Sequence, residues 1–270
     1  MNTRHVLDGP AGAPVVVLAH SLGVRLELWD ATAAALCDRF RVLRYDVRGH
    51  GGSGVPPGPY TLEQMAADVH ELLDTLGIDR VHFAGMSMGG LIAMAWALAH
   101  PERTRSLVLC DTTACYGPGV TPMWDDRIRV AETQGMTKEL VDRTMAIWFT
   151  PEYRHDHPDV VARIAAMLSE TDPAGYAASI RAIGYIDLRE RIGAIRVPTL
   201  VVVGEKDPGT PVAMARDIQA RIAGARLVVL PGAMHCSPVE AAGEFNRLLA
   251  DFLEQRGPLT REESAFTGSD

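Results

Sequence analysis

The chain has 270 residues, with 26 Lys and Arg against 34 Asp and Glu, a formal charge of −8, and 47% apolar residues. That length suits one substantial domain or a domain carrying an insertion, and the composition excludes disorder, collagen-like repeats and a disulfide scaffold. A diffuse acidic excess also argues against a nucleic-acid partner, which needs a basic face for phosphates.

From the start of the chain, short β-branched runs alternate with amphipathic stretches, the pattern of βαβ units in a mostly parallel sheet. The first run, PVVVLA at 14–19, lies in an apolar stretch, but Asp8 precedes it and no small-residue cleavage site follows. It reads as a strand and not as a leader. Further strands are expected at 41–45 (RVLRY), 81–84 (VHFA), 106–110 (SLVLC), 199–203 (TLVVV) and 226–230 (RLVVL). The apolar run at 89–99 is too short to span a bilayer, so no membrane partner is expected. Cys37, Cys110, Cys115 and Cys236 form no CxxC pair and no zinc spacing, which suits reduced thiols in a cytoplasmic protein.

Between the fourth and fifth of these runs, residues 116–196 offer no strand. Leu140, Val141, Thr144, Ile147 and Trp148 make an apolar stripe of helical period, and Val160, Val161, Ile164, Met167 and Leu168 make another. Pro122, Pro151, Pro158 and Pro173 stand at plausible helix starts. A helical cap over 116–196 is therefore expected on a core made of 1–115 and 197–255. Residues 239–255 read as a closing helix, and the polar stretch 256–270 as a disordered tail.

The chemistry is concentrated in loops that follow strands. Gly85-Met86-Ser87-Met88-Gly89-Gly90 lies between the strand VHFA and a helical stretch, the strand–turn–helix setting of a nucleophile elbow. A serine hydroxyl needs a base to take its proton, and the base needs a carboxylate to orient it. Asp207 follows TLVVV and His235 follows RLVVL, in the chain order Ser, acid, His, so the catalytic candidates are Ser87, Asp207 and His235. Asp111, after SLVLC, is a competing position for the acid, and Glu205 is a weaker neighbour in the Asp207 loop. In Ala19-His20-Ser21-Leu22-Gly23 the Leu22 backbone N–H, with that of Met88, is expected to form an oxyanion hole. Two strings are set aside. His155-Asp156-His157-Pro158-Asp159 lacks a fourth ligand, because Val160 follows. Residues 45–53 (YDVRGHGGS) have no phosphate-loop lysine and read as a structural turn. No metal or other cofactor is implied.

On the strings LDGPAGAPVVVLAHSLG, RVLRYDVRGHGGS, HFAGMSMGGLIAMAWA and IRVPTLVVVGEKDPGTP the chain resembles the α/β-hydrolase superfamily. The segments AIWFTPEY and GYAASIRAI narrow the resemblance to the bacterial 3-oxoadipate enol-lactonases of the protocatechuate branch of aromatic catabolism. The resemblance implies an α/β-hydrolase fold with a helical cap inserted after the sixth strand. It also implies an edge strand or hairpin before Leu7, for which only residues 1–6 remain. The implied activity is opening of a small lactone through an acyl-enzyme; the alternative is a general carboxylesterase or cofactor-free perhydrolase with the same triad. For a carboxylated ring, Arg127 and Arg129, with Trp124, Trp148 and Trp29, are the substrate-contact candidates. Residues 116–196 hold 10 Lys and Arg and 12 Asp and Glu, so the acidic balance of the whole chain does not exclude an anionic substrate.

Overall fold

The computed structural model describes residues 2–254. Seven strands form one sheet: β1 His5–Asp8, β2 Val15–Ala19, β3 Arg41–Tyr45, β4 Val81–Met86, β5 Thr104–Cys110, β6 Thr199–Gly204 and β7 Arg226–Leu230. Their order across the sheet is β1-β3-β2-β4-β5-β6-β7. All neighbours are parallel except β1, which pairs antiparallel with β3 from His5 opposite Tyr45 to Asp8 opposite Val42. β2, β4 and β6 are buried along their whole length, as strands covered on both faces by helices must be.

β1 is the strand with no candidate run in the sequence. Its side chains are only partly buried, so it lacks the apolar signal of the interior strands. It is held instead by Arg44, whose guanidinium donates to Asp8 at 2.8 Å, and by the backbone N–H of Asp46, which donates to the Arg4 carbonyl at 2.9 Å. The edge of the sheet is thus a single strand that runs through Leu7, and among the described residues the additional strand expected before Leu7 is absent. With one strand rather than a hairpin at this edge, the helical segment follows the fifth strand of this chain and not the sixth.

The helices before that segment are α1 Asp30–Leu36, α2 Leu62–Thr75 and α3 Met88–Ala99. α2 opens on a capping box, Thr61 accepting from the Gln64 N–H and Gln64 accepting from that of Thr61. α3 is buried from Met88 to Ala97, which explains why it is apolar on all sides. Between β5 and β6 come α4 Thr121–Gln134, α5 Lys138–Trp148, α6 Pro151–Asp156, α7 Pro158–Ser169 and α8 Pro173–Ile183. Each of the four prolines read as helix starts lies in a first turn, where its missing N–H costs no helical bond. The chain closes with α9 Val212–Arg221, α10 Ser237–Glu240 and α11 Ala242–Leu253. The tail expected at 256–270 lies outside the described residues. None of the described helices is long and apolar enough to cross a membrane.

The helical segment is docked by close approach. A Cβ on Gly49 would stand 2.8 Å from the Gly175 Cα, so the turn after β3 touches the start of α8. The Thr171 hydroxyl donates to the Gly23 carbonyl at 2.8 Å, tying the same segment to the loop after β2.

Candidate active site

Ser87 stands between β4 and α3 with φ 53° and ψ −111°. A non-glycine residue held in that region stores on the order of 1–3 kcal/mol, and its neighbours show what enforces it. A Cβ on Gly85 would lie 2.1 Å from the Gly89 carbonyl oxygen, and one on Gly89 would lie 2.1 Å from that of Ala19. Only glycine lets strand, helix and the loop after β2 meet this closely. The turn is pinned from β5 as well: the Ser87 N–H donates to the Cys110 carbonyl at 2.9 Å, and the Thr112 hydroxyl to the Ser87 carbonyl at 2.7 Å.

The structure brings Ser87, His235 and Asp207 together. His235 Nε2 is 3.1 Å from Ser87 Oγ, and His235 Nδ1 is 2.8 Å from Asp207 Oδ2. Asp207 accepts also from the Gly209 and Thr210 N–H groups at 2.7 and 3.0 Å and from the Thr210 hydroxyl at 2.7 Å. An acceptor saturated in this way leaves Nδ1 of His235 as the donor and Nε2 free to accept from Ser87. Burial favours the neutral imidazole, but the charge and hydrogen bond of Asp207 outweigh it, so His235 titrates above its ordinary value. Burial likewise works against the Asp207 anion, and His235 with Thr210 more than offsets it, holding the carboxyl below its ordinary value.

Asp111 is not placed as the acid against Nδ1. Its carboxylate is fully buried and accepts from the Gly204 N–H at 2.9 Å, the Ser237 N–H at 3.0 Å and the Ser237 hydroxyl at 2.7 Å. It therefore ties the end of β6 to the loop carrying His235. Burial and the nearby Asp207 push it up to about 8. Glu205 braces the same region, accepting from the Gly232 N–H at 2.8 Å.

Leu22 lines the cavity in front of Ser87, and Met88 opens α3. The loop holding Leu22 is fixed by two buried histidines. His20 Nε2 accepts from the Val47 N–H and His50 Nε2 from the Gly23 N–H, both at 2.9 Å. Their Nδ1 atoms face the Ser21 and Arg48 carbonyls at 2.7 and 3.1 Å, so each ring is neutral with its proton on Nδ1. Burial lowers both from the ordinary histidine value, His50 to about 3. The turn at 45–53 is the brace of this loop.

The cavity has a volume of about 150 Å³, of the order that accommodates a benzene ring. Its floor is Ser21, Leu22, Ser87 and His235, and its roof comes from α4, α5 and α8. Arg127 on α4 is buried there with its Nη1 3.4 Å from the Tyr176 hydroxyl and its guanidinium carbon 5.5 Å from the Trp124 ring centre. Arg127 Nε and Trp124 Nε1 are buried donors without a hydrogen-bond partner. Among the described residues no carboxylate pairs with Arg127.

The family model of the alpha/beta hydrolase fold matches residues 14–242. The chain belongs to the α/β-hydrolase fold family. Among curated relatives of this hydrolase, "3-oxoadipate enol-lactonase 2" of Acinetobacter baylyi is 35% identical, over 92% of this chain and 91% of its own length. Among solved structures, the enol-lactonase from Burkholderia xenovorans LB400 superposes with a TM-score of 0.89 at 43% identity, covering 93% of this chain and 96% of the other. A hydrolase from Pseudomonas aeruginosa PA01 gives the same TM-score and identity, covering 93% and 94%.

Of the contact residues anticipated for this hydrolase, Trp124, Arg127 and Trp148 line the cavity. Trp29 does not, and its expected role is corrected. It is completely buried at the entry to α1, its ring 6.1 Å from that of Phe245 on α11, because α1 packs its apolar face on the closing helix. Arg129 points away on α4 and pairs with Asp126 at 2.6 Å. His157 packs on the Tyr153 ring with centroids 4.4 Å apart. The sequence reading missed Tyr116, Thr144 and Tyr176 in the cavity wall. Thr144 sits on the α5 stripe, whose period signals burial but not which cavity it faces. Tyr116 lies in an aperiodic loop without any local signal.

Proposed function

We propose that the protein hydrolyses a small anionic lactone, 3-oxoadipate enol-lactone, to 3-oxoadipate in aromatic catabolism. The observation that carries this reading is Arg127: a buried guanidinium without a carboxylate partner, in the roof of a cavity whose floor is Ser87 and His235. Burying an unpaired charge is costly, and a carboxylate on the substrate offsets that cost with a bidentate pair. A cavity of about 150 Å³ suits one small ring. The names of the relatives support the lactone class.

In this reading residues 116–196 form the cap over the core built from 1–115 and 197–255. Ser87 Oγ attacks the ring carbonyl while His235 Nε2 takes its proton, and Asp207 stabilises the imidazolium. The Leu22 and Met88 N–H groups receive the oxyanion, gaining more from the tetrahedral state than from the planar carbonyl. Ring opening leaves an acyl-enzyme and an enolate that tautomerises to the ketone. A water activated by His235 then releases the acid. Triad and oxyanion hole need no cofactor.

The test is turnover of purified protein on a lactone panel that includes 3-oxoadipate enol-lactone, beside simple aryl esters. The enol-lactone is expected to have the highest kcat/KM, and Ser87→Ala to lower it at least about 10⁴-fold. No acceleration on the enol-lactone with turnover of aryl esters would replace the lactonase by a general esterase.

A further inference from the structure

Acyl transfer needs support at two oxygens: the carbonyl oxygen that gains charge on attack, and the oxygen that leaves with the bonding electrons. The sheet order separates the groups available to each. β2 and β5 flank β4 on opposite sides, so the loop with Leu22 and the segment after β5 approach Ser87 from opposite directions. Asp207 and His235 follow β6 and β7, on the β5 side. The leaving oxygen must sit where His235 Nε2 can deliver a proton, hence on that side too.

The segment after β5 carries Tyr116. It lines the cavity together with Ser87 and His235. Its ring stands edge-on to Trp124, with centroids 5.1 Å apart and planes at 73°. A phenylalanine would make the same ring contact, so packing does not account for the hydroxyl.

We propose that Tyr116 is a further catalytic residue, whose O–H donates a hydrogen bond to the ring oxygen of the lactone as the acyl C–O bond breaks. This rests on the lactonase reading. In the step, the bond from Ser87 Oγ to the acyl carbon forms, the ring C–O bond breaks, and its electron pair goes to the ring oxygen. The Ser87 proton passes to His235 Nε2 and from there to the enolate. Tyr116 keeps its own proton: burial pushes the phenol up to about 12, so near neutral pH it is a donor in every turnover. Such a donor is worth most when the leaving oxygen is basic, because that oxygen carries the most charge in the transition state.

The experiment is Tyr116→Phe, assayed on the enol-lactone and on esters of one acid whose leaving oxygens range from 4-nitrophenoxide to alkoxide. The expected loss in kcat/KM is about 10- to 100-fold for the enol-lactone and the alkyl ester, and under about threefold for the 4-nitrophenyl ester. An equal loss across the series would overturn the proposal, since a residue that only shapes the cavity or holds Ser87 affects every substrate alike. No loss anywhere would overturn it too. As a second measurement, 3-fluorotyrosine at position 116 keeps ring and hydroxyl but makes the phenol a stronger donor. It is expected to raise the alkyl-to-nitrophenyl rate ratio, and an unchanged ratio counts against the role. Wild-type protein that turns over neither lactones nor esters removes the hydrolase reading and the Tyr116 role with it. Wild-type turnover with a flat response to Tyr116→Phe removes only the role.

Discussion

The floor and the roof of the cavity are built on opposite principles. On the floor, Asp207 accepts from His235, from two backbone N–H groups and from Thr210, and Asp111 accepts three further bonds beneath it. On the roof, Arg127 Nε and Trp124 Nε1 are buried without partners. A saturated polar network is rigid and specifies one arrangement; open buried donors cost about 1–3 kcal/mol each. In the proposed mechanism the difference separates reaction from recognition. The groups proposed to move a proton are held by glycine-enforced contacts and shared acceptors. The groups proposed to select a substrate are left with hydrogen bonds still to make.

Replacing Asp207 attacks the floor at its most connected acceptor. Asp207→Asn is expected to lower kcat about 10⁴-fold. It also removes the anion that holds His235 above its ordinary titration, so the acid limb of the residual kcat/KM profile should move to lower pH. A pH–rate series on both proteins checks it; a limb that stays in place would show that Asp207 does not set the basicity of His235.

Arg127→Met attacks the roof, and a smaller, selective effect is expected. A charge-assisted hydrogen bond is worth roughly 1.5–3 kcal/mol. KM for an anionic lactone should therefore rise about 10- to 100-fold, while a neutral lactone of the same ring changes less than about threefold. Arg127 disfavours the imidazolium of His235, so its loss should move the acid limb of kcat/KM to higher pH, opposite to Asp207→Asn. Equal losses on both lactones would erase the division between floor and roof.

The smallest effect concerns the brace behind the floor. Folded His50 takes a proton only near pH 3, while an unfolded chain takes it near the ordinary histidine value of about 6.5. Between these values the unfolded state binds more protons, so stability falls as pH drops. His50→Gln keeps an acceptor for the Gly23 N–H and removes the titration. The loss of Tm between about pH 7 and about pH 5 should be shallower in this variant, by the several degrees that about 2 kcal/mol makes in a chain of this size. Parallel Tm–pH curves would mean that the brace does not titrate on unfolding.

Elements whose signal is local were legible in the sequence. The runs that became β2, β4, β5 and β6 are apolar because both faces of the sheet are covered there, and the helical segment shows its period and its prolines. Ser87 is recognisable because a strained turn demands glycines at fixed offsets, and Asp207 and His235 because each follows a strand of a parallel sheet. β1 escaped since its four residues include only two apolar ones, Val6 and Leu7, whereas the other edge strand, β7, carries four in a row. Trp29 was misplaced because a tryptophan reads alike whether it faces a core or a cavity.

By itself, then, the sequence determined the alternation of strand and helix, the elbow at Ser87 and the order of serine, acid and base, all consequences of backbone sterics within a few residues. Only the tertiary structure decided that Asp207 rather than Asp111 meets His235, that His20 and His50 are neutral braces, and that Tyr116 and Arg127 share one cavity with Ser87. These depend on contacts between residues far apart in the chain, where distance and burial, and not residue type, decide whether a side chain packs, braces or reacts.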